Sequence, residues 1–251
     1  MRVVTADRKK FIGEPVVVST PKDFNEGIET LKRIIGNLTQ GAPIDAIVGG
    51  IAGPLNPEKT MLVKSPNLPG WVGQDIKKVL SETYAVPVSI ENDAGLVGLG
   101  EANYGAGRDY TIVVYLTIST GVGGVRIIKG VIDESAQGFE PGHQIIDPDN
   151  SLCPTCEGND LESYVSGIAV EKRFNKKPFE ITDDAVWDEL AKFLAYGLHN
   201  TIVHWSPDVV VLGGSMMKEV GIKIPDVKKH LEEIMKIFPH IPEIKKAELQ
   251  D

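Results

Sequence analysis

Cysteine and histidine are scarce: two cysteines and five histidines in 251 residues. A disulfide-dense secreted scaffold is thereby excluded. No apolar run reaches the ~18–20 residues of a spanning helix, so no membrane partner is expected. Basic charge is in the minority, with 26 Lys and Arg against 35 Asp and Glu and a formal charge of −9. That balance supplies no electrostatic reason to bind nucleic acid. The opening MRVVTADRKK has no apolar secretory core. Both cysteines fall in one C-x-x-C pair. The expectation is a cytoplasmic protein whose pair does metal or redox work and is not a structural disulfide. Tandem repeats and low-complexity segments are lacking.

What is present is an ordinary globular composition, 42% hydrophobic and 24% charged, enough for one large core or two smaller ones. Residues 2–6 and 15–19 are β-branched runs that read as a hairpin joined by charged turn residues. From Phe24 the spacing Phe24, Ile28, Leu31, Ile34, Ile35, Leu38 predicts a helix, ended by Gly41 and Pro43. Strands follow over 45–50, 86–91, 110–117, 125–128 and 208–212. Helices are predicted over 75–84, 93–104, 183–204 and 227–237. The 183–204 helix aligns Ala185, Leu190, Leu194, Leu198 and Ile202 on one face. Alternating strands and helices argue for an α/β fold with a partly parallel sheet. The composition shift at Gly105-Ala106-Gly107-Arg108 divides the chain into domains 1–107 and 108–251.

Four stretches carry candidate chemistry. Glu91-Asn92-Asp93 sits where a strand gives way to a helix, the place α/β proteins put ligands. Asp93 suits a general base, or either Asn92 or Asp93 is merely a helix cap. Thr117 leads into Ser119, Thr120, Gly121, Gly123 and Gly124, a hydroxyl- and glycine-rich turn. It suits phosphate oxygens, or is a plain glycine hairpin. Gly213-Gly214 follows a strand, for close approach of a nucleotide or for tight packing. Residues 139–167 hold His143, Cys153 and Cys156, three good Zn²⁺ ligands, with Asp160 the best-placed fourth. The alternatives there are a redox pair, or two buried cysteines and an unrelated histidine. Glu140 and Glu162 flank the segment and suit the hydroxyls of a polyol, or are solvated surface.

Taken together these residues resemble the ROK sugar kinases and their repressor relatives. The resemblance rests on Glu140, Gly142-His143, Cys153 to Cys156, Leu161-Glu162 and Ser166-Gly167, and on the IAGPL, PNLPGW, IENDA and LGEANYGAG stretches. It implies an actin-like ATPase (ribonuclease H-like) fold, two α/β domains with a cleft between them. The implied reaction passes a phosphoryl group from ATP–Mg²⁺, or from polyphosphate, to a hydroxyl of a hexose or N-acetylhexosamine, usually the 6-OH. Asp93 would be the base. Asn67, Asn92, Glu140, His143 and Glu162 would contact the sugar. Residues 117–124 would form a phosphate loop, Gly213-Gly214 an adenosine loop, and zinc a structural clasp in a homodimer. Four departures stand out. The family's Asp-x-Gly-Gly-Thr-Lys loop is missing and residues 243–251 stop where the family has a final Gly-rich helix, so a chain truncated at both ends, crippled in handling ATP–Mg²⁺ but able to bind sugar, is expected. Thr155 and Asp160 replace two of three zinc cysteines. Val125 replaces a glycine. The alternative function is a non-catalytic sugar sensor.

Overall fold

The computed structural model describes residues 1–7 and 10–249. They form two compact units, Met1–Asp93 and Ala94–Asp251. The division expected at 105–108 lies at the other end of the helix that begins at Asp93.

In the first unit β1 (Arg2–Asp7) and β2 (Lys10–Val17) form the expected antiparallel pair, with an irregularity between Val3 and Thr5. The charged turn expected between them includes Arg8 and Lys9, which lie outside the described residues. Helix α1 (Phe24–Thr39) starts where the Asp23 carboxylate accepts the Glu26 N–H at 2.9 Å. It stops at Gln40, which takes a left-handed conformation just ahead of Gly41 and Pro43. Strand β3 (Ile47–Ile51), helix α2 (Ile76–Tyr84), strand β4 (Val88–Asn92) and helix α3 (Asp93–Tyr104) follow. β3 and β4 are parallel, registered from Ile47 opposite Val88 to Ile51 opposite Asn92. They form a sheet separate from β1 and β2.

Phe24, Ile28, Leu62, Trp71, Leu80 and Ile90 share the core of this unit. Trp71 stands edge-on to Phe24 and donates its indole N–H to the Pro21 carbonyl at 2.9 Å. This fastens the loop after Asn67 to the start of α1. Phe11, Ile12, Val17 and Val48 are exposed on the strands.

The second unit is built on a five-stranded sheet. Its strands are β5 (Ile112–Ile118), β6 (Val122–Ile128), β7 (Val131–Ile132), β8 (Val209–Gly213) and β9 (Glu243–Lys246), in the order β7-β6-β5-β8-β9. β5, β8 and β9 are parallel; β6 and β7 are antiparallel additions. Between β7 and β8 come α4 (Leu161–Val165), α5 (Gly167–Phe174) and α6 (Asp184–Trp205). Helix α7 (Ile224–Ile234) precedes β9. β8 is buried along its whole length, as a continuous apolar run in a covered parallel sheet should be. Strand alternation splits the core. Val114, Leu116, Ile118, Val210 and Leu212 join Leu190, Leu194, Leu198 and Ile202 of α6. Val113, Tyr115, Val209 and Val211 join Ala102 and Ala106 on the other face. Each leucine so buried contributes about 1.5–3 kcal/mol. Ala185, in the first turn of α6, is exposed instead.

Candidate active site

In the first unit the residues of interest gather at the carboxyl end of the β3–β4 pair. Asn92 closes β4 and Asp93 opens α3, where it is exposed. The Asn92 amide donates to the Gly53 carbonyl at 3.1 Å, tying the end of β4 to the turn after β3. Ser65, buried, donates its hydroxyl to the Ala52 carbonyl at 3.4 Å and accepts the Leu68 N–H at 3.2 Å. These bonds hold the loop carrying the exposed Asn67 at the same strand ends. One residue not singled out from the sequence also belongs here: Lys59 pairs with Glu91, directly before Asn92. The Asn-Pro-Glu-Lys turn was the signal that could have found it.

In the second unit the glycine-rich stretch needs a correction. The turn comprises residues 119–121 only, closed by Ser119 N–H donating to the Gly121 carbonyl at 2.8 Å. Gly123 and Gly124 are strand residues of β6, opposite Thr117 and Leu116. The reason for Gly124 is packing: a Cβ there would meet the Pro141 ring and the Tyr115 carbonyl, each at 2.7 Å. Thr117 lies opposite Gly213 on the parallel neighbour β8. Both candidate nucleotide runs therefore leave the sheet side by side, and the Ser119 and Ser215 hydroxyls lie 3.1 Å apart. Gly214 has φ +94°, and a Cβ would lie 2.3 Å from the Ile118 carbonyl, so only glycine fits.

The segment 139–167 grips this hairpin from two sides. Gly142, in the short 3₁₀ turn Pro141–His143, lies so close that a Cβ would sit 2.1 Å from the Val122 carbonyl. Glu162, in the first turn of α4, accepts the Val122 N–H at 2.7 Å. The Gly167 N–H then donates to the Ser119 carbonyl at 2.7 Å. Glu140 and His143 are exposed. Behind them a buried Asp147 accepts the N–H groups of Ser151 and Leu152 and the Tyr164 hydroxyl. Burial pushes the Asp147 carboxyl up, but these bonds more than offset it and hold it below its usual range. Burial and Asp147 together push Tyr164 up to about 12.

The expected zinc clasp is not assembled. Cys153 and Cys156 are joined in a disulfide, which corrects the expectation of a metal-binding pair and leaves no thiolate to bind metal; a disulfide is also the oxidised form of the redox alternative. His143 Nδ1 instead meets the Asp160 carboxylate at 3.0 Å. Asp160 also caps α4 by accepting the Ser163 N–H. This bond to Asp160, opposed by burial and aided by Glu162 and Glu140, raises the His143 pKa. Burial raises Asp160, but its bonds from Ser163 and His143 lower it overall. Among the described residues no group of three or more His, Cys, Asp or Glu is placed to hold a metal ion. The donor set does not fit zinc, and no step below uses it.

A model of the ROK family matches residues 1–251. The chain belongs to the ROK family. This ROK chain is 27% identical to the fructokinase of Pediococcus pentosaceus over 225 residues, covering 86% of this chain and 77% of that one. It is 25% identical to the xylose repressor of Bacillus spizizenii over 231 residues, covering 85% and 59%. Among solved structures, the ROK hexokinase from Thermus thermophilus superposes with a TM-score of 0.81 at 25% identity, covering 99% of this chain and 89% of that one. The fold is therefore the α/β, actin-like ATPase fold of the ROK kinases. No helix of the described residues is long and apolar enough to cross a membrane.

Proposed function

We propose that this ROK protein transfers a phosphoryl group from ATP to a hydroxyl of a hexose or N-acetylhexosamine, the 6-hydroxyl by family resemblance. The observation that carries the reading is the Asn92-Asp93 corner. An exposed carboxylate opens α3 at the carboxyl end of a parallel strand, beside an asparagine fixed on the neighbouring turn. Asp93 is the general base that accepts the proton of the attacking hydroxyl. Asn67, Asn92, Glu140, His143 and Glu162 hold the sugar. Glu162 can do so while bonded to Val122, because a carboxylate has more lone pairs than one N–H uses.

The Thr117, Ser119 and Thr120 hydroxyls, with Gly121, offer donors to phosphate oxygens. The adjacent Gly213-Gly214 turn receives the adenosine. Mg²⁺ arriving with the nucleotide supplies charge neutralisation on the phosphates, and no carboxylate is assigned to it. The fructokinase and hexokinase named above support this class of activity. A homodimer in the cytoplasm, and polyphosphate as a second donor, complete the proposal.

The test is phosphorylation of a panel of glucose, fructose, mannose, N-acetylglucosamine and N-acetylmannosamine with ATP and with polyphosphate. The Asp-x-Gly-Gly-Thr-Lys loop is not among the 251 residues, so the panel is run on this chain and on one extended upstream of Met1. Phosphorylation of any sugar of the panel by either form supports the kinase reading. No sugar phosphate from either form overturns the kinase reading. The similarity to a xylose repressor favours a second reading, a sugar-responsive regulator. A sugar-induced rise in Tm with no turnover would select it.

A further inference from the structure

We propose that Lys59 is a positioning residue for the general base. It acts by gripping Glu91 and so fixing the Asn92-Asp93 corner. The proposal rests on the assignment of Asp93 as the base.

The first observation is the turn that delivers the lysine. Asn56 builds it almost alone. Its side-chain oxygen accepts the N–H groups of Thr60 at 2.8 Å and Met61 at 3.0 Å, and its amide donates to Glu58 at 2.8 Å. The Lys59 N–H closes the turn on the Asn56 carbonyl at 2.8 Å. Lys59 itself has φ 51°, in the left-handed region. Long side chains seldom occupy it, and glycine or asparagine would sit there with less strain. The backbone therefore gives no reason for a lysine at this position.

The second observation is where that ammonium goes. Lys59 Nζ pairs with Glu91 Oε2, 32 residues on. The other Glu91 oxygen, Oε1, accepts the Asn92 N–H at 2.9 Å. Asn92 in turn donates its side-chain amide to Gly53. Both carboxylate oxygens of Glu91 are engaged, one by the lysine and one by the backbone of the base's neighbour. One ion pair, one hydrogen bond and one peptide bond connect Lys59 to Asp93.

The third observation separates this role from a structural one. The Lys59 side chain is 42% exposed. The Glu91 side chain is 18% exposed, but a pair whose cation is so open to water adds little to the stability of the fold. Its loss should leave the protein folded and show in the chemical step, which is sensitive to small misplacements of the reacting groups.

The experiment compares Lys59→Met, Lys59→Arg, Glu91→Gln and the Lys59→Met/Glu91→Gln double variant. Each is made in the form that turns over in the sugar panel, with its best sugar. For Lys59→Met we expect kcat to fall about 10- to 100-fold with KM changed less than about threefold. Tm should stay within about 2 °C of the parent. Lys59→Arg keeps the pair and should restore most of kcat. The double variant should be no worse than the more damaging single change, since both remove the same link. A Lys59→Met enzyme with parental kcat overturns the proposal while leaving Asp93 as the base. So does a rise in KM alone, or equal losses in Met and Arg. If no form phosphorylates any sugar, the base assignment falls and the proposal falls with it.

Discussion

The two units hold their candidate residues by different means. In the first, side chains do the holding: Asn56 shapes a turn, Ser65 ties two loops, Lys59 grips Glu91, and Asn92 reaches Gly53. In the second, the Glu162 carboxylate holds one N–H and backbone does most of the rest. The hairpin at 119–121 is pinned by carbonyls and N–H groups, and Gly142 and Gly214 bring one main chain hard against another. Side-chain struts can be exchanged for others of like length and charge. Glycine contacts cannot, because the missing Cβ is itself the fit. The struts of the first unit should therefore tolerate conservative change that Gly142 and Gly214 do not.

Four substitutions and one titration would break or sharpen that contrast. The largest effect is on chemistry. Asp93→Ala should lower phosphorylation by at least about 100-fold in a turnover assay, while sugar affinity by calorimetry changes little. Next is Gly142→Ala, whose methyl would meet the Val122 carbonyl. A loss of roughly 2 kcal/mol, seen as a Tm about 4–8 °C lower, is expected. If the variant melts like the parent, close backbone packing is not what holds the hairpin. Asn56→Ala, in the first unit, strips the acceptor from two N–H groups and should cost about 1–2 kcal/mol by denaturant titration.

The titration addresses Tyr164 and Asp147. The tyrosine's folded value, about 12, is above its ordinary 10.0, so the neutral hydroxyl is the form the fold favours. Its contribution is complete below pH 10 and is lost as pH rises through about 12. Tm should fall across that window, and Tyr164→Phe should flatten the slope. The smallest effect has the opposite sign. Gly36, exposed in the interior of α1 with nothing near its missing Cβ, should gain about 0.5–1 kcal/mol on conversion to alanine. Gly36 and Gly142 together test whether a glycine is there for close approach or by tolerance.

How far the sequence could be read follows from range of interaction. Helix α1, α3 and the run of β8 were legible because caps, periodicity and apolar runs are local signals. The corner at Asp93 was legible for the same reason: a strand end and a helix start are written in adjacent residues. Gly123 and Gly124 were misread as turn because the cause of Gly124 is Pro141, a contact outside any short window. Helices α4 and α5 escaped notice since they are short, and their caps, Asp160 and Ser166, lay inside a segment read as a metal loop. β9 carries lysines and a glutamate on an edge, so its pairing with β8 leaves little hydrophobic pattern. The cysteines bond each other where a metal was the first expectation and a redox pair the alternative. C-x-x-C spacing serves a disulfide as readily as a metal, and a chelator should leave the Tm unchanged.

The separate two-stranded sheets of the first unit bear on how the protein behaves in a tube. Each offers outer strand edges that no strand among the described residues pairs, with Phe11, Ile12, Val17 and Val48 facing water nearby. Open edges beside apolar side chains are templates for pairing between molecules. Colloidal stability should thus be set by a few strand residues near the beginning of the chain. A single charge in place of Ile12 should extend the concentration range over which the protein stays monodisperse.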